Sequence, residues 1–185
     1  DKAPDFLSGV MAGMRDMGEV IRSFEPDLLV VHSTHWVTTF NWYVTHQPQH
    51  DGVCVGEECP DLIPGIDYSI QGHPEFAAAL SNSIEKAGVP GGQSRTLNHR
   101  FDYGSLVPLT YLDPDFSLPV VLLGCCVMAD IRECMAVGAA VSQAAKESGR
   151  RIGFLASTAL SHRLVRGPDR WPTDDEQRRD RAFID

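Results

Sequence analysis

The chain has 185 residues, 43% of them hydrophobic and 22% charged, and a formal net charge of −9. That length supports one domain with a sizeable core. The acidic balance argues against a broad nucleic-acid surface, which needs clustered Lys and Arg, and no apolar run approaches the roughly 20 residues that span a bilayer.

Val10, Met14, Met17, Ile21 and Phe24 recur at helical spacing, so residues 8–24 read as an amphipathic helix with one buried stripe, Ser8 as its N-cap and Pro26-Asp27 as its end. Leu28-Leu29-Val30-Val31 is a short continuous apolar run, typical of a strand buried on both faces. Residues 36–45, rich in Trp, Val, Thr, Phe and Tyr, read as a second strand, and residues 47–72 as a long irregular connection of the kind that is often functional. Pro74 opens a helix with Phe76, Leu80 and Ile84 on its inner face, and Gly88 closes it. A short strand is expected over 93–97 and helical or irregular chain over 106–112. Pro119 to Cys125 is a further buried strand. Asp130 caps a long helix with Ile131, Cys134, Gly138, Val141 and Ala145 on one face, ended by Gly149. Ile152 to Ala156 is another buried strand, and the chain from Gly167 is a polar tail in which Arg178, Arg179 and Arg181 alternate with acids. Helices alternating with short buried strands predict an α/β three-layer sandwich, a mostly parallel or mixed central sheet with helices on both faces.

The cysteines, Cys54, Cys59, Cys125, Cys126 and Cys134, suit reduced, buried thiols, and with no signal-peptide pattern the expected location is the cytoplasm. Cys54 and Cys59 lack the second matching pair of a zinc site. In open α/β sheets ligands bind beyond the carboxyl ends of the strands. That rule singles out His32-Ser33-Thr34-His35-Trp36 after the first strand and Ser157 to His162 after the last, each delivering a histidine to the same kind of place. His32 and His35 are three apart, so on extended chain they face opposite ways and are not expected to share a metal. A third segment, Phe101-Asp102-Tyr103-Gly104-Ser105, offers a carboxylate and a phenol. A histidine after a strand is more often structural than a ligand, so spacing alone leaves both readings open.

Three segments in register resemble the class III extradiol ring-cleavage dioxygenases, the protocatechuate 4,5-dioxygenase superfamily, and in particular its homoprotocatechuate 2,3-dioxygenase and 2-aminophenol 1,6-dioxygenase branches. Val30-Val31-His32-Ser33-Thr34-His35-Trp36 is similar to the family's strand ending in a His-Trp ligand motif, Asp102-Tyr103-Gly104-Ser105 to its Asp-Tyr-Gly-Thr or Asp-His-Gly element, and Phe154 to His162 to its Leu-Ala-Ser-x-x-Leu-Ser-His element. The resemblance implies an enzyme that opens a catechol-type ring with both atoms of O2, using non-haem Fe(II), or Mn(II), held by two His and one Glu. It implies that His35 is a metal ligand, that His162 is the catalytic acid/base, and that Tyr103, a His in some relatives, hydrogen-bonds substrate or bound oxygen. Asp102, His50 and Ser161 are the implied supporting or substrate-touching groups. The implied partners are a small aromatic substrate, O2 and further copies of the chain, with neither nucleic acid nor membrane. The family's first His ligand lies upstream of Asp1 and its Glu ligand well beyond Asp185, so the resemblance implies one domain over 1–185 that is incomplete at both ends. The alternatives are 2-aminophenol-type cleavage, a non-catalytic subunit of the same fold, or, from other classes, a zinc hydrolase or a metal-free binding module.

Overall fold

A computed structural model describes residues 8–161 and 172–185. In chain order it contains α1 (Ser8–Ser23), β1 (Leu28–Thr38), β2 (Trp42–Val44), β3 (Gln49–Cys54), β4 (Ile66–Gln71), α2 (Pro74–Lys86), β5 (Gly91–Gln93), α3 (Tyr103–Leu112), β6 (Val120–Cys126), α4 (Ile131–Ser148), β7 (Ile152–Ser157) and α5 (Asp174–Ile184). The central sheet has five strands in the order β5-β2-β6-β1-β7. β1 runs parallel to both β6 and β7, β2 runs parallel to β5, and β2 meets β6 antiparallel.

The apolar run at the start of β1 feeds two cores by strict alternation. Leu28 and Val30 pack with Phe76, Leu80 and Ile84 of α2 and Val137, Ala140 and Ala144 of α4. Leu29 and Val31 pack on the other face with Leu106 and Leu109 of α3 and with Tyr68 and Ile70 of β4. A strand buried on both faces has no polar side, which is why it reads as a continuous apolar run. The result is the expected mixed-sheet, three-layer sandwich. Its helices start and stop where local chemistry predicts. Asp130 accepts the Glu133 N–H at 2.8 Å, and Gly149 ends α4 at φ 67°. Pro74 sits in the first turn of α2, while the His73 ring accepts the Phe76 N–H at 3.2 Å.

Several local expectations are corrected. Residues 47–72 are not irregular throughout: β3 and β4 pair as an antiparallel ribbon from Gln49↔Gln71 to Cys54↔Ile66. β1 continues to Thr38 and β2 is confined to 42–44, because Thr38 turns the chain by donating its hydroxyl to the Asn41 carbonyl at 2.6 Å. The strand expected over 93–97 lies at 91–93. The tail carries α5, opened by a Thr173–Glu176 capping box.

Two helices also present unexpected faces. In α1 the buried residue is Gly18, while Val10, Met17 and Phe24 of the apolar stripe are exposed. The helix rolls onto α3 through Gly18, where a Cβ would lie 2.8 Å from the Leu112 carbonyl oxygen, and Arg22 donates to that same oxygen at 3.0 Å. In α4 the buried face is Val137, Ala140, Val141 and Ala144, so Ile131 and Cys134 point outward. The cysteines are free thiols, but Cys134 is exposed, against the expectation that all are buried.

Two stability predictions follow from this packing. Gly18→Val should lower stability by roughly 1–3 kcal/mol, an overpacking cost. Gly9→Ala, where a Cβ meets nothing within 4 Å, should leave stability unchanged or raise it. Urea midpoints of both variants check the pair, and equal effects would count against the α1–α3 contact.

The second prediction concerns His50 on β3, which is 3% exposed with neither ring nitrogen partnered among the described residues. Burial, reinforced by neighbouring His99, pushes its pKa from 6.5 down to about 4. The folded state therefore holds His50 neutral, while the unfolded chain protonates it near the ordinary value. Its contribution is complete above pH 6.5 and is lost as pH falls from there toward 4. His32 and His99, also lowered by burial, act in the same direction. Between about pH 7 and about pH 5 the protein should lose stability, and His50→Leu should lose less. Denaturation midpoints at the two pH values check this, and identical losses would contradict it.

Candidate active-site cleft

The carboxyl end of β1 departs from a regular strand. His32 is opposite Leu123 and Val37 is opposite Cys125, so residues 33–36 bulge out against Gly124 alone. Bulges re-aim side chains, and this one separates the two histidines. The His32 ring turns toward Trp42, with its Nδ1–H donating to the Leu123 carbonyl at 3.1 Å. The His35 ring turns the other way, exposed, and lies 4.2 Å from the Tyr103 ring at the start of α3. The opposite orientations expected from their spacing are therefore found.

Asp102 holds these two elements together. It is the N-cap of α3, and its Oδ1 accepts the Ser105 N–H at 2.9 Å while its Oδ2 accepts the Ser105 hydroxyl at 2.8 Å. Oδ1 also accepts the Ser33 hydroxyl at 2.7 Å, and Ser33 Oγ in turn accepts the His35 N–H at 3.1 Å. A single carboxylate thus satisfies an orphan donor of the helix start and fixes the strand bulge that presents His35. Gly104 completes the join. A Cβ there would come 2.6 Å from His35 Cδ2 and 2.7 Å from Ser33 Oγ, so only glycine lets the imidazole lie against the first turn of α3.

His35, Asp102 and Tyr103 line a cleft of about 790 Å3 that is also lined by Val53 at the end of β3 and by Val55, Glu57 and Glu58 of the loop that follows it. The valines are half-exposed, giving an apolar wall of a size suited to a flat ring. The Tyr103 hydroxyl makes a long contact of 3.4 Å to the Glu58 carboxylate, to which it donates. Burial and then the Glu58 charge push the phenol pKa upward, so the hydroxyl stays protonated across the neutral range. The His35 ring nitrogens make no hydrogen bond among the described residues, which leaves them available to a ligand.

The remaining sequence candidates lie elsewhere or undescribed. His50 sits behind the cleft, its ring 5.1 Å from that of Phe101. Ser161 donates to Asp180 of α5 at 2.6 Å. His162 lies outside the described residues. Sequence reasoning missed Ser33, for which the only signal was its place two residues before His35 on the same strand face, and it singled out residues 47–72 as a functional connection without foreseeing the ribbon within it. Among the described residues no group of three or more His, Cys, Asp or Glu could hold a metal. Among the described residues His35 is therefore a single available imidazole.

Comparison with known proteins gives the family. The profile of the catalytic LigB subunit of aromatic ring-opening dioxygenase matches residues 2–184. The chain is similar to 3,4-dihydroxyphenylacetate 2,3-dioxygenase of Escherichia coli, 25% identical over 158 residues, covering 85% of this chain and 57% of that protein. It is also similar to the 2-aminophenol 1,6-dioxygenase beta subunit of a Pseudomonas species, 31% identical over 149 residues, covering 77% of this chain and 48% of that one. The chain thus spans about half the length of these relatives. In three dimensions it superimposes on the crystal structure of an uncharacterized protein from Escherichia coli with a TM-score of 0.62 at 22% identity, over 83% of this chain and 54% of that one, a likeness of fold. With that profile matching residues 2–184, the chain belongs to the family of the catalytic LigB subunit of aromatic ring-opening dioxygenases.

Proposed function

We propose that this protein takes part in extradiol cleavage of a catechol-type aromatic, in which both atoms of O2 enter the ring-opened product with the help of non-haem Fe(II). The observation that carries this reading is the convergence of His35 and Tyr103, rings 4.2 Å apart, in an aromatic-sized cleft at a strand end of a ring-opening dioxygenase family member.

In this reading His35 supplies one imidazole ligand. The described residues do not make up an iron site by themselves, so the other ligands lie outside them. Iron, when bound, brings the aromatic and O2 together and carries charge between them, which overcomes the slow reaction of a singlet ring with triplet O2. The chain's own described residues orient and seal. Val53 and Val55 offer the ring an apolar face, and the protonated Tyr103 hydroxyl offers a hydrogen bond to a substrate oxygen beside His35. Asp102, through Ser33 and the cap of α3, keeps both groups in register. His162 has the role of acid/base, taking the proton from the substrate hydroxyl. The assembly is a homo-oligomer and its place is the cytoplasm. No described helix is long and apolar enough to cross a membrane.

A second reading, cleavage of a 2-aminophenol, is favoured by one observation: the 2-aminophenol relative is 31% identical over 149 residues, against 25% over 158 for the other.

The test is anaerobic Fe(II) loading of the protein carrying its whole encoded chain, followed by oxygen uptake over a panel of catechols and 2-aminophenols. Uptake with formation of a yellow ring-opened product is expected for one of the two classes, and iron-loaded protein that consumes no oxygen with either would contradict the proposal. Two variants check the roles. His35→Ala should lose iron, whereas His162→Phe should keep iron and turn over about 10²–10⁴-fold more slowly. The reverse pattern would exchange the assignments.

A further inference from the structure

We propose that the cavity between α2, β5 and Trp36 is a second ligand site, separate from the His35 cleft, and that it takes a planar aromatic carboxylate. The cavity measures about 1160 Å3, larger than the cleft, and is lined by the rings of Trp36 and Tyr43, by His46, and by Ser94, Arg95 and Thr96. This proposal does not rest on the oxygenase reading, because none of its polar groups belongs to the His35 cleft.

The site is built by the same local rules as the rest of the fold. β5 is the edge strand of the sheet and begins with two glycines. A Cβ at Gly91 would stand 2.7 Å from the Trp42 carbonyl oxygen, so the strand can pair with β2 only without a side chain there. At Gly92 a Cβ would meet nothing within 4 Å, and that missing side chain leaves the cavity open down to the sheet. The loop after β5 is pinned on both sides. The Ser94 N–H donates to the Val44 carbonyl at 2.8 Å, and the buried Gln47 side chain donates its amide to the Thr96 carbonyl. Ser94 Oγ also accepts the Thr96 N–H at 3.3 Å. Arg95 is therefore carried on a fixed loop, and it has no ion-pair partner among the described residues.

Two further atoms are in an unusual state. His46 Nδ1 in the lining and Oε1 of adjacent Gln47 are buried without a hydrogen-bond partner among the described residues. Folded proteins seldom leave buried polar atoms unpaired, because desolvation is then uncompensated. Both atoms are closed to solvent and lie behind the cavity surface, so the ligand is read from the accessible lining. Two aromatic rings favour a flat π system. A guanidinium fork matches a carboxylate through two parallel hydrogen bonds, and the hydroxyls of Ser94 and Thr96 lie beside it. Glu85, the lining's one carboxylate, disfavours ligands with several negative charges.

Benzoate is the probe, titrated against the full protein with intrinsic tryptophan fluorescence and isothermal titration calorimetry as readouts. Saturable binding in the millimolar range or tighter is expected, with a fluorescence change that disappears in Trp36→Phe. Arg95→Gln should weaken binding about tenfold or more, the loss expected for a charge-assisted hydrogen bond, and Arg95→Lys should fall between. His35→Ala should bind benzoate as the parent does, which separates this site from the cleft. The proposal is overturned if benzoate does not saturate, if benzyl alcohol binds as tightly as benzoate, or if His35→Ala abolishes binding while correctly folded Arg95→Gln retains it. Circular dichroism of each variant establishes that it is folded.

Discussion

The Asp102 carboxylate is the constraint on which the site depends. It accepts hydrogen bonds from the Ser33 hydroxyl, the Ser105 backbone N–H and the Ser105 hydroxyl, so a strand end and a helix start share one anchor. Hydrogen bonds to a charged acceptor are the strong kind, each contributing roughly 1.5–3 kcal/mol. Without this anchor β1 and α3 would still pack through Val31, Leu106 and Leu109, because that contact is apolar and non-directional. What would be lost is direction: β6 does not pair with residues 33–36 and β7 pairs only as far as Ser33, so residues 34–36, which aim His35, have no strand pairing to fix them.

Around that anchor the fold divides labour between faces. The alternation of β1 sends Leu28 and Val30 to α2 and α4 and Leu29 and Val31 to α3 and the ribbon, which makes the strand a rigid support. Where the alternation breaks, the side chains turn to separate tasks. His32 is tied to a backbone carbonyl of β6, and His35 is presented to the cleft beside Tyr103. The β3–β4 ribbon packs Cys54, Tyr68 and Ile70 into the core, and Val53 at its end with Val55 and Glu58 of the following loop forms the wall against which a flat substrate would lie. Electrostatics act within the same geometry, since burial and Glu58 keep the phenol of Tyr103 protonated and able to donate.

How much of this was legible beforehand depends on the kind of signal. The buried strands β1 and β6 and the capped helices were, because Leu28–Val31 and Val120–Leu123 are continuous apolar runs and Asp130 and Gly149 mark helix ends locally; Ile152 to Ala156, expected to be buried as well, forms the edge strand β7 with Phe154 exposed. The motif Asp102-Tyr103-Gly104-Ser105 was legible as a unit, but not the reason for its glycine, which lies in contact with a residue nearly seventy positions earlier. The ribbon was not legible. Its inward positions include His50 among Cys54, Tyr68 and Ile70, its outward positions include Val53 among Gln, Asp and Ser, and Gly and Pro lie around it, so the alternation is masked. The buried faces of α1 and α4 were misjudged for a common reason: small residues such as Gly18, Ala140 and Ala144 allow close approach, while larger apolar side chains nearby remain at the surface.

The most direct test of this account is a double-mutant cycle between Ser33→Ala and Asp102→Ala, read as denaturation free energies. If one carboxylate couples the strand bulge to the helix cap, the two changes are non-additive, with a coupling energy of about 0.5–3 kcal/mol. If the double variant equals the sum of the single ones within about 0.3–0.5 kcal/mol, the two elements are not joined through Asp102, and the placement of His35 beside Tyr103 needs another cause.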